Sequence, residues 1–366
     1  MELPPAPKHT RLPHVLAALY AIAIVYVSLD PFSPWLAPPP GTPFFLFEGW
    51  PARWTRYDAA LNVLAYAPFG FFLALLRRGA TPLTRVAQGA AIGVALSFAM
   101  ETLQMYVPPR DASPFDLAMN GTGALLGAVP AAWLAGSARA RKAIYDLRAR
   151  VFLPGHLGDV GLALLALWLA AQMNPGIPLF AATFDADPMP GLAAIAPAQD
   201  GASLLIQAAA SAFHLLGVGL FVALLLRRRA NAGIAVLVLI GIALAFKGAA
   251  GAWMLKSAAW QAWVKPGVLT GIAGGALLLP VAIGLPRPAQ VAVCAIALLS
   301  ALLAPVLVPE TLSARPPVAL FDWHYGQLLN YNGLTRSVLL AWPLLAAAWL
   351  FALAGRPGWG MPGDAR

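Results

Sequence analysis

The sequence predicts an all-α membrane protein, a polytopic transmembrane bundle of about ten helices with both termini cytoplasmic. Of its 366 residues, 60% are hydrophobic and only 11% are charged, and the mean hydropathy is +0.72. Apolar runs of membrane-spanning length recur along the chain, without the strict alternation of barrel strands. Because only helices and closed barrels satisfy their backbone in lipid, these observations favour a helical bundle.

Ten runs approach or exceed the length that a helix needs to cross a bilayer. They cover residues 12–29, 58–76, 86–107, 115–135, 157–173, 202–226, 232–255, 267–285, 289–308 and 337–354. The first run follows a basic start but lacks a small-residue cleavage site, so we expect an uncleaved span. The fifth is short and the seventh contains Lys247, which leaves nine or eleven spans as alternatives.

Lys and Arg residues set the predicted orientation, because basic residues concentrate in cytoplasmic connections. They cluster in alternate connections, at Arg77, Arg78, Arg85, Arg139, Arg141, Lys142, Arg148, Arg150, Arg227, Arg228, Arg229 and Arg287. The remaining connections, 30–57, 174–201 and 309–336, would be long outer loops rich in Pro and aromatic residues. The net charge of +9 is therefore explained by basic residues that set the membrane topology. We expect a multi-pass protein of the bacterial inner membrane with no nucleic-acid partner.

A basic segment, "SARARKAIYDLRAR", divides the predicted spans. We expect a four-helix membrane module over residues 1–136, a basic amphipathic cytoplasmic linker over 137–156, and a second bundle of about six helices over 157–366. The linker's pattern suits a surface helix on anionic lipid. The single cysteine, Cys294, excludes an intrachain disulfide.

Polar residues concentrate at one end of three consecutive predicted spans. Asp58 and Asn62 begin the second span, Glu101 and Gln104 end the third, and Arg110 lies in the following turn; Asp116 and Asn120 begin the fourth. Residues three or four apart share a helix face. We therefore predict an outward-facing polar pocket formed by Asp58, Asn62, Glu101, Gln104, Arg110, Asp116 and Asn120. Arg110 is the cation expected to pair with Glu101 or Asp116.

Two segments, "DAALNVLAYAPFGFFLALL" and "ETLQMYVPPRDASPFDLAMNGTGALLG", resemble the VanZ-like family. The family pattern is an Asn before Pro-x-Gly, then Glu-x-x-Gln, an Arg, an Asp and Asn-x-x-Gly-x-x-x-Gly. It falls on Asn62, Pro68, Gly70, Glu101, Gln104, Arg110, Asp116, Asn120, Gly123 and Gly127. The resemblance covers about residues 14–135, and the rest resembles a C-terminal extension of some relatives. It implies a cell-envelope membrane protein and, as in some members, antibiotic resistance towards the lipoglycopeptide teicoplanin.

The polar set allows several functions. The first is binding or modulating an outer-leaflet lipid, a lipid-linked cell-wall precursor or an amphiphilic glycopeptide drug. Alternatives are a membrane-embedded enzyme with Glu101 and Asp116 as acid–base candidates, a secondary transporter using Lys247 and His214, a structural clasp joining three helices, and an envelope scaffold. We expect no cofactor and no metal site, since cofactor motifs are absent and the carboxylates are too sparse for a diphosphate–metal motif.

Isolated polar residues elsewhere favour simpler interpretations. Lys247 would snorkel towards the outer interface, and His214 would be a hydrogen-bonded packing residue. Residues 309–336 would be an interfacial loop, a short surface helix, or a lid over the first module. The last loop carries Asp322, His324, Gln327, Asn330 and Asn332.

Overall fold

The computed structural model is predominantly helical in the part of the chain that it describes. The described residues are 10–51, 54–77, 79–108, 110–174, 177, 179–180, 201–254, 264, 266–307 and 325–356. The predicted outer-loop residues Asp185, Asp187, Asp200, Asp322 and His324 lie outside these ranges, as do the side chains of Gln327, Asn330 and Asn332.

Eleven α-helices follow one another in these ranges, which confirms the predicted all-α class. In chain order, α1 to α11 are Leu12–Leu29, Arg56–Leu76, Pro82–Gln104, Pro114–Gly136, Ala138–Val151, Gly155–Ala171, Gly201–Leu225, Ala232–Met254, Pro266–Gly284, Arg287–Leu307 and Tyr325–Ala354. All ten predicted spans fall on helices, and α5 occupies the basic linker. Within the described residues, eight helices are long and apolar enough to cross a membrane. The other two predicted spans fall on shorter apolar stretches, 155–171 and 287–302.

Several helix bounds differ from the predicted spans by a few residues or more, and two of these differences have a clear cause in the sequence. The last helix begins at Tyr325, twelve residues before the predicted start, so part of the predicted loop 309–336 is helical. Hydropathy identifies only the apolar part of a helix. The backbone hydrogen bonds of the helix can continue through a polar segment that contains no proline. Helix α3 ends at Gln104 instead of residue 107. A turn follows it and leads into Pro108, whose ring disfavours the α conformation for the preceding residue.

The chain divides into two compact units, residues 1–149 and 150–366. In the first unit, α2 and α4 form the most extensive helix pair, α3 packs on both, and α1 packs on α2 and α3. The α2–α4 pair is close because Gly123 and Gly127 lie against the backbone of Val63 and Ala67, where a Cβ atom would collide. Small residues permit this approach between membrane helices.

Four helix ends meet at one end of the first unit, which we call the α3–α4 end. Here α1 and α3 end while α2 and α4 begin. Thr55 caps α2 through a capping box with Asp58, and Ser113 caps α4 by accepting a hydrogen bond from the Phe115 N–H. These caps satisfy N–H groups that a helix leaves without partners.

The second unit is built around α7. Within this helix, 78% of its most apolar 18-residue window is buried, against 39% or less in the other candidate spans. Helices α9 and α10 pack on α7, and α11 packs on α6 and α10. Trp342 and Trp349 of α11 donate indole N–H bonds to the α6 carbonyls of Leu164 and Leu157, at 2.7 and 2.8 Å.

Candidate functional site

Glu101 is the central residue of the polar set at the α3–α4 end. Its side chain is buried, with 3% of its surface exposed. Its Oε2 atom accepts a hydrogen bond from the Ser113 N–H at 2.8 Å, so the carboxyl group reaches the N-terminus of α4. Glu101 is also close enough to Asp116 to interact with it electrostatically. The structure thus brings both predicted acid–base candidates together.

Two amide side chains connect the helices around this pair. Asn62 of α2 donates to Asp116 Oδ1 of α4 at 2.6 Å. Asn120, one turn further along α4, donates to Ser97 Oγ of α3 at 2.9 Å. The Asn120 Oδ1 atom is buried and has no hydrogen-bond partner among the described residues. Three helices therefore share one polar interior.

Arg110 does not make the predicted ion pair with Glu101 or Asp116. Its guanidinium donates to the backbone carbonyl of Asp30 from Nε at 3.1 Å and from Nη2 at 2.6 Å, and to that of Val27 from Nη2 at 2.7 Å. A helix leaves its last four carbonyls without intrahelical partners, and a cation there is stabilised by the helix dipole. Partial burial lowers the pKa of Arg110 from its ordinary value, while Asp30 acts in the opposite direction.

Gln104 and Asp58 also form hydrogen bonds at helix ends. Gln104 donates to the Ser28 carbonyl of α1 at 3.0 Å. Asp58 Oδ2 accepts hydrogen bonds from the Thr55 N–H and Oγ at 2.9 and 2.8 Å. Asp58 thus caps the start of α2, and Gln104 and Arg110 donate to backbone carbonyls at the end of α1.

Sequence reasoning missed Ser97, Ser113 and Tyr66, which complete the polar interior. The Tyr66 side chain is buried beside Ser97 and Glu101. A usable signal was present, because Tyr66 lies four residues after Asn62 and Ser97 four residues before Glu101. Tyr66 therefore shares a helix face with Asn62, and Ser97 shares one with Glu101.

Aromatic side chains surround the start of α4. Trp50 and Trp54 pack against the buried Phe115, with ring centroids 5.5 and 5.2 Å apart. Both tryptophans remain about half exposed, at 58% and 50%. Tryptophan is enriched at the headgroup level of membranes, where one part of the ring is apolar and the other wet. The carboxyl pair is thus next to a surface that suits lipid headgroups.

Lys247, in the second unit, does not snorkel as predicted. It is fully buried, and its Nζ atom donates to the carbonyls of Asn174 and Ile177 at 2.9 and 2.6 Å. Those carbonyls follow the end of α6 at Ala171, where the backbone has left the helix. The Asn174 amide in turn donates to Thr335 Oγ of α11 at 2.7 Å. Lys247 therefore ties the segment after α6 to α8.

His214 is a buried packing residue with one hydrogen bond among the described residues. Its Nε2 atom accepts from the Trp168 indole N–H at 3.1 Å, and its ring stacks parallel to Trp342 at a centroid distance of 6.4 Å. An Nε2 atom that accepts carries no proton, so the neutral ring holds its hydrogen on Nδ1. This arrangement does not suit a proton relay through Nε2.

The helices and the polar set define the class of the protein. It is a polytopic helical membrane protein in which buried carboxyl and amide side chains lie together where the ends of four helices meet. Residues 16–135 match the family model described as VanZ/LLP1. This part of the chain is therefore VanZ-like, which confirms the resemblance drawn from the motifs. Neither the curated proteins nor the solved structures gave a significant match.

Proposed function

We propose that the VanZ-like region binds the head of an outer-leaflet envelope lipid or lipid-linked precursor through Glu101 and Asp116. The observation that carries the proposal is the environment of Glu101. It is buried and, among the described residues, receives one hydrogen bond, from the Ser113 N–H, with no basic side chain beside it. A buried carboxylate without a cation is costly, and ionisable groups in membrane helices usually mark function.

The chemistry of the polar interior indicates which part of a ligand it would hold. Carboxyl oxygens of Glu101 and Asp116 and the Asn120 Oδ1 atom are acceptors, and Arg110 is engaged elsewhere. The Tyr66 hydroxyl can donate as well as accept, but acceptor atoms predominate in this interior. An interior of this kind favours a ligand that donates, such as an ammonium group or sugar hydroxyls. A bare phosphate would meet repulsion there. Phosphatidylethanolamine offers the ammonium group, and a lipid-linked sugar or an amphiphilic glycopeptide such as teicoplanin offers hydroxyls.

The depth of the carboxyl pair fits a lipid head. Glu101 lies three residues from the end of α3 and Asp116 two residues from the start of α4. At about 1.5 Å per residue, both are within about 5 Å of a helix end. With the orientation predicted from Lys and Arg, this end faces outward from the bacterial inner membrane. Tolerance of a glycopeptide would then follow from competition for, or shielding of, the same lipid.

Native mass spectrometry of copurifying lipids tests this proposal. The wild type should retain phosphatidylethanolamine or a lipid-linked sugar, and Glu101→Gln should lose most of it while remaining folded. The matched control is Asp111→Asn, which removes an equal charge from an exposed position in the connection between α3 and α4. Lipid profiles that are the same for wild type and Glu101→Gln would sink the lipid site.

A structural clasp is the second candidate, because a specific set of contacts favours it. The bonds Asn62–Asp116, Asn120–Ser97 and Gln104–Ser28 each join two different helices. Buried networks of this kind stabilise one packing of a bundle when every member is satisfied. In this alternative Glu101→Gln would lower the melting temperature in detergent and leave the lipid profile unchanged.

A further inference from the structure

We propose that α5 lies in the bilayer interface and docks on anionic lipid headgroups. The helix is fourteen residues long, about 21 Å, and none of its residues is buried. Two large apolar side chains, Ile144 and Leu147, are 51% and 62% exposed. In water such exposure is unfavourable, whereas an interface would bury these side chains.

The exposed aliphatic residues Ile144 and Leu147 share one face of α5 with Ala140. Ala140, Ile144 and Leu147 are spaced i, i+4 and i+7, which places them in one stripe along the helix. Tyr145, Lys142 and Asp146 fall on the other side, where Lys142 and Asp146 form an ion pair with an N–O distance of 2.7 Å. One face is therefore apolar and the opposite face carries an internally paired charge.

Arginine residues flank the apolar stripe on both sides. By helical periodicity, Arg139 and Arg150 lie along one edge, and Arg141 and Arg148 along the other. Arginine stems can cover apolar surface while the guanidinium reaches a phosphate. Arg141 donates to the Ala135 carbonyl and the Nε atom of Arg148 is buried. The exposed guanidinium groups of Arg139 and Arg150 are therefore the ones that suit a leaflet of anionic lipid, which attracts basic residues with about 1 kcal/mol each.

The connections at the two ends of α5 keep it beside the membrane. Only Ser137 separates it from α4, a candidate membrane span that ends at Gly136. Ser137 Oγ accepts the Ala140 N–H at 3.2 Å, and Arg141 donates to the Ala135 carbonyl. Trp133, 71% exposed near the end of α4, suits the headgroup level. After α5, the apolar helix α6 begins at Gly155.

A site-specific depth measurement tests the docking. Full-length protein with Leu147→Cys or Tyr145→Cys carries a polarity-sensitive fluorophore and is placed in nanodiscs of phosphatidylcholine with or without phosphatidylglycerol. The native Cys294 is buried, so unsubstituted protein serves as the labelling blank. A nitroxide-labelled lipid should quench the probe at 147 much more than the probe at 145, and more strongly with phosphatidylglycerol.

Charge neutralisation provides the second measurement on the same probe. In the Leu147→Cys protein, Arg139→Gln with Arg150→Gln should reduce the docked-to-undocked ratio about fivefold per arginine in phosphatidylglycerol nanodiscs. Lys142→Gln, on the opposite face, should leave it unchanged. Equal quenching at 145 and 147, quenching independent of phosphatidylglycerol, or an equal response to Lys142→Gln would each overturn the proposal.

Discussion

At the scale of single residues, the Asn62–Asp116 hydrogen bond joins α2 to α4 in the polar interior, at 2.6 Å. It gives Asp116 a donor where water is scarce. A buried acceptor that loses its donor costs about 1–3 kcal/mol. The Asn62 amide thus stabilises the helix pair, whatever the carboxyl groups bind.

We therefore expect Asn62→Ala to lower the free energy of unfolding by about 1–3 kcal/mol. Thermal unfolding in detergent measures the change as a lower melting temperature. Thr122→Ala is the matched control on α4, because the Thr122 hydroxyl is exposed and donates to the Ala118 carbonyl of its own helix. A melting temperature for Asn62→Ala equal to that of the control would show that the bond is not stabilising.

The residues of the polar interior were predictable in part. A spacing of three or four residues identified the acids and amides, because residues at this spacing in the sequence share one face of a helix. The partners of Arg110 were not predictable, since Val27 and Asp30 lie 83 and 80 positions earlier in the chain. Which carbonyls receive a guanidinium depends on how α1 packs, and no local pattern encodes that.

At the scale of helices, the α2–α4 contact depends on glycine. A Cβ atom on Gly127 would collide with the Ala67 backbone, which cannot move as a flexible side chain could. The Gly-x-x-x-Gly spacing of Gly123 and Gly127 was visible in the sequence and predicted close packing. That spacing did not indicate which helix would pack against α4.

We expect Gly127→Ala to destabilise the first unit by about 1–3 kcal/mol, as overpacking does. The control is Gly274→Ala on α9, where an added Cβ atom meets nothing within 4 Å. Alanine is the better helix former by up to about 1 kcal/mol, so the control should be neutral or stabilising. Thermal unfolding of the two variants in one detergent compares them. Equal melting temperatures would contradict the packing account.

At the scale of the whole molecule, hydropathy predicted helix positions well because apolar length is a local property. Residues 325–336 were predicted as an interfacial loop, a short surface helix or a lid, and in the structure they form the start of α11. Their continuity with the last span was not predicted, since polar residues carry no hydropathy signal. The burial of Lys247 was missed for a different reason. Its acceptors belong to the segment after α6, 70 or more positions away.

The orientation drawn from Lys and Arg yields a labelling prediction. Asp111→Cys, in the exposed α3–α4 connection, should react with a membrane-impermeant maleimide on intact spheroplasts. Lys142→Cys on α5 should react only after the membrane is opened. Both positions are exposed in the structure, so a lack of reaction reports sidedness instead of burial. The reverse labelling pattern would invert the proposed topology and remove the outer leaflet as the source of the ligand.

The most direct test of the central claim is the lipid-dependent melting temperature of wild type and Glu101→Gln. A ligand that binds only the folded state stabilises it by mass action. Added phosphatidylethanolamine should raise the melting temperature of the wild type by a few degrees, whereas phosphatidylglycerol, which lacks the ammonium group, should raise it less. Glu101→Gln should start no lower than the wild type, because Gln can still accept from the Ser113 N–H, and should not respond. An equal rise in both proteins would contradict the claim that Glu101 holds a lipid head.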